Sequence, residues 1–497
     1  MPRRHVRLRP APLPAVPGAE PPAEVSVQTV DRAVRTGLAA VRAELQVPDA
    51  FPPQVVAAAR SAAPQVPSGT ADATHVPFVT IDPAGSMDLD QALHIERRGG
   101  PGGGFRVHYA IADVAAWVPA GGPVDTEARR RVVTLYAPDG RTPLHPPELS
   151  EAAASLLPDG ERPALWWQLD LDGDGQLTRF DVRRATVRSR ARLTYEQVEH
   201  ALDTGTADDV LVLLREVGLL REQVERERGG LTLPMPEQEA GREDGHWALT
   251  SRRTLPVEGW NAQVSLLTGM AAASLMLDGG IGVLRTLPAA DPRDVARLRR
   301  TAQALGVPWP EGAGHAEVVS GLDSSDPAQA ALLTEAATLM RGAAYVAFDG
   351  QRPAYVEHAA IAAPYAHTTA PLRRLVDRFV GETCLALCAD VPVPEWVRAA
   401  LPDLPSRMAS GDAHASAYER ACLDLVEAAL LAGRTGEVFD AVVVDVREDR
   451  AAGVVQLRDP AVRARVGGEG LPLGEAVRVR LTDVSVTGRT VRFTLER

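Results

Sequence analysis

The sequence predicts a mixed α/β (α+β) protein: a small helical N-terminal unit, a large central domain, and a C-terminal β-barrel of the OB type. Three observations predict this. Val30, Val34, Leu38, Val41 and Leu45 recur at helical spacing. Between about residues 75 and 430, strand-like runs alternate with long apolar helical stretches. After Gly433 the composition changes to short β-branched strands separated by turns. A chain of 497 residues, 45% hydrophobic, is long enough to bury several cores.

Residues 1–24, rich in Pro and Ala, read as a tail without a core. Residues 25–70 hold two helices, the second opened by Pro52-Pro53. They form either a helix-turn-helix-like cap or a packing element for the next domain. Phe78–Ile81 then reads as a buried strand, Pro83–Gly85 as a turn, and Met87–Ile95 as a returning extended segment. Asp82, Asp88 and Asp90 fall within nine residues with no Arg among them. Side chains alternate in an extended segment, so Asp88 and Asp90 share a face and Gln91 points to the other. Like charges this close are relieved by protonation, by separation in solvent, or by a cation. An all-oxygen set suits Mg²⁺, which keeps waters and takes phosphate oxygens as further ligands. The alternative is a solvated acidic turn.

Phe105–Asp113 is the next strand, and Gly99–Gly104 before it is a hairpin loop rather than a phosphate cradle, because a strand follows it where a cradle needs a helix. Asp125–Arg131 is a charged helical turn leading to Tyr136. Asp170-Leu-Asp-Gly-Asp-Gly175 begins like a calcium loop, with Asp181 at the twelfth place, but its flanks are strand-like and it reads as a hairpin turn. Arg183–Arg192 carries alternating Arg that face either phosphates or solvent. A long helix opens near Tyr195, helices follow over about 207–230 and 260–278, and Glu237–Thr254 between them is a β excursion. In Tyr365-Ala-His-Thr-Thr-Ala-Pro-Leu-Arg-Arg-Leu-Val-Asp377 the Arg pair precedes a helix, and Asp377 can pair with either Arg373 or Arg374.

Two of these stretches carry a resemblance. Thr80-Ile-Asp-Pro-Ala-Gly-Ser-Met-Asp-Leu-Asp-Gln-Ala-Leu93 resembles the signature of the RNB catalytic domain of the ribonuclease II / ribonuclease R family, in which metal-binding aspartates follow D-x5-D-x-D-D. Asp82, Asp88 and Asp90 match the first three, and Gln91 stands at the fourth. The Tyr365–Asp377 segment resembles the family's T-S-P-I-R-R-Y-x-D, with Ala370 and Leu375 in place of Ser and Tyr, and Arg373 matches the arginine that holds the scissile phosphate. The resemblance covers about residues 75–430, and residues 434–497 look like the S1-type RNA-binding domain of many relatives.

The resemblance implies a Mg²⁺-dependent (or Mn²⁺-dependent) 3′-to-5′ exoribonuclease that hydrolyses single-stranded RNA to nucleoside 5′-monophosphates. It gives Asp82, Asp88, Asp90 and Gln91 to the metal, and Asp88, Asp90 and Arg373 to catalysis. Tyr136 stacks on a base, Tyr195 contacts ribose, and Arg373, Arg374 and Glu419 complete the substrate contacts; Ala262 and Gln263 stand where relatives have a Glu pair. The alternative is an RNB-fold RNA-binding protein with weak or absent catalysis, to which Gln91 and the lack of an aromatic between Tyr195 and Trp247 both point.

Formal net charge is −12, and all 53 basic residues are Arg, which argues against indiscriminate binding to nucleic acid but not against a charged channel. Cys384, Cys388 and Cys422 make no disulfide framework or zinc pattern and fit a reducing cytosol. With no membrane-spanning run and no signal-peptide pattern, the expectation is a cytoplasmic monomer with no membrane and no obligate protein partner.

Overall fold

The buried strand Phe78–Asp82 feeds the returning strand Gln91–Arg97, and both belong to one six-stranded sheet. This computed structural model describes residues 27–99, 103–235, 237–243, 246–252, 254–447 and 451–496. The expected tail and part of the Gly99–Gly104 loop lie outside them. Gln91–Arg97 pairs antiparallel with Phe105–Ala112, which pairs with Glu161–Leu171. The 18-residue strand Leu177–Thr194 closes the sheet, running antiparallel to Glu161–Leu171 along its first part and parallel to Phe78–Asp82 along its last. The acidic turn is thereby held at the sheet end where Thr194 gives way to the helix Tyr195–Thr204.

That helix opens with Thr194 and Gln197 in a reciprocal capping box and ends at Gly205, whose φ of +69° stops it before Asp209–Arg228 begins. The 24-residue helix Pro256–Gly279 is apolar on all sides and sits in the main core with Leu375–Cys388, Tyr109, Trp167 and Phe379. Gly269 permits this: a Cβ there would lie 2.1 Å from the Tyr365 ring. Among the described residues no helix is long and apolar enough to cross a membrane.

The expected helical unit over residues 25–70 divides between two cores. Val27–Glu44 places Val34, Leu38 and Val41 with Tyr418, Leu425, Phe439 and Phe493, joining the helix Leu404–Leu431 to the C-terminal barrel. Pro53–Arg60 places Val55 and Ala59 beside Phe78, Leu89 and Trp166. The barrel is closed and five-stranded, built from Val438–Arg447, Ala452–Leu457, Arg463–Gly467, Ala476–Ser485 and Thr490–Leu495.

Two other expectations resolve locally. Asp170 pairs twice with Arg106, at 2.6 and 2.9 Å, and Asp172 Oδ1 accepts the backbone N–H groups of Asp174 and Gln176, so this stretch is a hairpin turn. Of the alternating arginines, Arg183, Arg184 and Arg188 are held in ion pairs.

Candidate active site

Asp90 is the buried centre of the site, 3% exposed, at the point where the chain enters the Gln91–Arg97 strand. Its Oδ1 accepts the Leu372 backbone N–H at 2.7 Å, and its Oδ2 accepts from Arg373 Nε at 3.1 Å. Residues 282 and 283 positions apart in the chain therefore meet at one carboxylate. Burial pushes the Asp90 carboxyl up to about 8, against the opposing pull of Arg373. Burial raises Asp82 to about 6, with Arg373 again pulling down and Asp88 pushing up. Asp88 binds Arg141, whose guanidinium also reaches Glu151 at 3.1 Å.

The two members of the Arg pair have different partners. Arg374, expected at the substrate, makes two hydrogen bonds to Asp377, at 2.6 and 2.7 Å, which tie it to the helix Leu375–Cys388. Arg373 is the one at the acids, its side chain 48% exposed.

Tyr136 stands exposed on the short hairpin Leu135–Ala137/Gly140–Thr142, directly opposite Arg141, and its hydroxyl lies in the field of Arg373, Asp88 and Asp90. It lines a cavity of about 440 Å³ together with Glu419 and the strand Glu237–Glu243, so Tyr136 and Glu419 share one space. Tyr195 is within the field of Asp82 and accepts from Asn261 Nδ2 at 3.4 Å. Gln263 is turned away from Tyr195 and pairs with buried Glu225.

Gln91 is occupied at both ends of its amide: Oε1 accepts from Tyr109 Oη at 2.8 Å, and Nε2 donates to the Thr369 carbonyl at 2.6 Å. Among the described residues no three His, Cys, Asp or Glu side chains converge into a metal cage. The donors nevertheless suit a hard cation: Asp82, Asp88 and Asp90 offer only oxygen, and Asp88 lies within the electrostatic reach of both Asp82 and buried Asp90. Such a cation needs further oxygens, which a phosphate and water provide.

The RNB domain profile matches residues 70–387, well over half of the chain. The chain belongs to the RNB-domain family. Residues 437–496 match the RNase II-type exonuclease C-terminal S1 domain, which is the five-stranded barrel. The chain is 29% identical over 328 residues to the exosome complex exonuclease RRP44 homolog A of Arabidopsis thaliana, a match covering 62% of this chain and 34% of that protein. It is 31% identical over 198 residues to ribonuclease R of Escherichia coli, covering 38% and 24%. The matched segments thus span about a third or less of these relatives. In fold it is similar to Mycoplasma genitalium RNase R in complex with ribose methylated single-stranded RNA, with a TM-score of 0.82 at 18% identity, covering 93% of this chain and 78% of that one. It is also similar to yeast Ssd1, a pseudonuclease, with a TM-score of 0.70 at 19% identity, covering 90% and 57%.

Sequence reasoning missed three residues of this RNB site. Arg141 neutralises Asp88 from a tight hairpin whose Pro138-Asp139 turn is a readable signal. Asn261, one place before Ala262, is the partner of Tyr195. Tyr109, in the middle of a buried strand, carries no local signal of its bond to Gln91.

Proposed function

We propose that this RNB protein is a divalent-metal-dependent 3′-to-5′ exoribonuclease that removes nucleoside 5′-monophosphates from single-stranded RNA. The observation that carries the reading is the meeting of Arg373 with Asp90, 3.1 Å apart, beside Asp82 and Asp88. Only Nε of Arg373 is engaged by Asp90, and among the described residues its Nη groups have no hydrogen-bond partner. Those donors suit the non-bridging oxygens of a scissile phosphate, where a fixed guanidinium stabilises the charge that grows in the transition state. Asp82, Asp88 and Asp90 would hold the cation, Mg²⁺ or Mn²⁺, together with phosphate oxygens. When bound, it supplies an activated water and charge neutralisation.

The remaining residues bind and orient. Tyr136 offers a ring on which any base stacks, which suits an enzyme indifferent to sequence. The Tyr195 hydroxyl, which accepts from Asn261, contacts the ribose 2′-OH, and Glu419 contacts the terminal nucleotides across the cavity it lines with Tyr136. The barrel leads the strand inward along a groove rich in arginine.

The test is to incubate 5′-labelled single-stranded RNA and DNA with the protein and Mg²⁺ and to identify the products. Stepwise shortening of RNA with release of 5′-monophosphates is expected, with DNA spared and EDTA stopping the reaction. Internal cuts without mononucleotides would refute the reading. A second reading, an RNA-binding protein without cleavage, is favoured by the neutral Gln91 and predicts RNA that is retained but never shortened.

A further inference from the structure

The segment Thr369–Arg373 carries the guanidinium of the site but lies in neither helix nor strand. Its placement rests on bonds made from outside it. The Ala370 N–H donates to Asp377 Oδ1 at 2.7 Å, the Leu372 N–H donates to Asp90 Oδ1 at 2.7 Å, and the Arg373 carbonyl accepts the Thr134 N–H at 2.9 Å. A further tie is at its start, where the Thr369 carbonyl accepts from Gln91 Nε2 at 2.6 Å, while Arg373 Nε reaches Asp90 at 3.1 Å and the Pro371 carbonyl accepts from His145.

Gln91 is itself fixed from behind. Tyr109 Oη donates to its Oε1 at 2.8 Å and lies 2.7 Å from Ser265 Oγ on the core helix Pro256–Gly279. Tyr109 is fully buried, so this relay runs through the rigid interior of the sheet. The two neighbours of Gln91 make opposite demands. A hydroxyl that donates needs an acceptor, and a backbone carbonyl needs a donor. An amide meets both, whereas a carboxylate would set a bare oxygen against the Thr369 carbonyl and leave that buried acceptor unpaired.

We infer that Gln91 is a positioning residue, whose amide fixes the Thr369–Arg373 segment and so sets where Arg373 meets phosphate, and that Asp82, Asp88 and Asp90 alone are the metal-facing side chains. This inference rests on the RNA-cleaving reading only for the identity of the phosphate, so its test is read first as binding. Affinity for single-stranded RNA is measured in EDTA for the wild type, Gln91→Glu, Arg373→Ala and the double variant, with Gln91→Met as a near-isosteric variant that adds no charge.

If Gln91 acts through Arg373, each Gln91 substitution weakens RNA binding roughly fivefold in the Arg373 background and has no further effect once Arg373 is alanine. In Mg²⁺ the same non-additivity appears in kcat, and Gln91→Asp leaves the midpoint of the metal titration where it was. Equal losses in both Arg373 backgrounds, or a metal midpoint moved to lower concentration by Gln91→Asp, overturn the inference. If the wild type binds RNA but never shortens it, the cleavage reading falls while the binding cycle still decides the role of Gln91.

Discussion

At Asp90 one side chain has two partners with different requirements. The Leu372 N–H needs only an acceptor, whereas Arg373 needs a negative charge. Asp90→Asn keeps an oxygen for the first and removes the charge from the second. It should abolish release of mononucleotides in Mg²⁺ while RNA is still bound in EDTA, as read by product analysis and by fluorescence anisotropy. A variant that cleaves at the wild-type rate would remove Asp90 from the chemistry. The spacing of Asp82, Asp88 and Asp90 was legible because a strand, a turn and a returning strand are local patterns. Their neutralising partners were not, since Arg141 lies 53 positions from Asp88, and the Gln91 bond to Thr369 spans 278. No period in the sequence encodes such distances; they depend on which strands pair.

Whole elements set the two ends of the substrate space. The Leu135–Ala137/Gly140–Thr142 hairpin presents Tyr136 to solvent beside the acids, an arrangement with little packing value for a ring that is 49% exposed. Tyr136→Ala should therefore leave thermal stability almost unchanged and lower affinity for a short RNA by about 1–3 kcal/mol, the worth of one stacked base. Behind this hairpin, Glu427 on the helix Leu404–Leu431 joins three elements. Its Oε1 accepts from Gln238 Nε2 at 2.8 Å and from the Arg463 N–H at 2.9 Å. Burial pushes its carboxyl up from 4.5 to about 7. Between those values the unfolded chain has already lost this proton and the folded one keeps it, so the group's contribution to stability declines as pH rises through that window and is constant on either side. Glu427→Gln retains an acceptor and carries no charge. It should match the wild type near pH 4 and exceed it at pH 8, by up to roughly 3 kcal/mol in urea unfolding. At this scale the sheet, the core helices and the barrel were legible from periodicity. The division of residues 25–70 between two cores was not, because an amphipathic helix shows that it has a buried face without showing what covers it.

Across the whole molecule, charge is distributed against its own average. The chain is acidic overall, yet one groove of about 1140 Å³ between the barrel, the helix Leu404–Leu431 and the helix Pro292–Ala304 is lined by Arg420, Arg447, Arg463, Arg465 and Arg492, among others. Arg465 and Arg492 sit directly opposite each other on adjacent parallel strands, both exposed, and neither makes an ion pair among the described residues. Like charges facing each other across a sheet destabilise it unless an anion lies between them, which fits a surface built for a polyanion. The helix Leu404–Leu431 separates this groove, which Arg420 lines, from the Tyr136 cavity, which Glu419 lines. RNA affinity should consequently fall with salt, and replacing Arg465 and Arg492 by Gln should reduce the slope of log K against log salt by roughly 0.7 for each phosphate no longer neutralised. The cleavage rate at saturating RNA should not change, since both residues lie on the barrel. An unaltered slope in the double Gln variant would mean that the phosphates follow another route to Arg373.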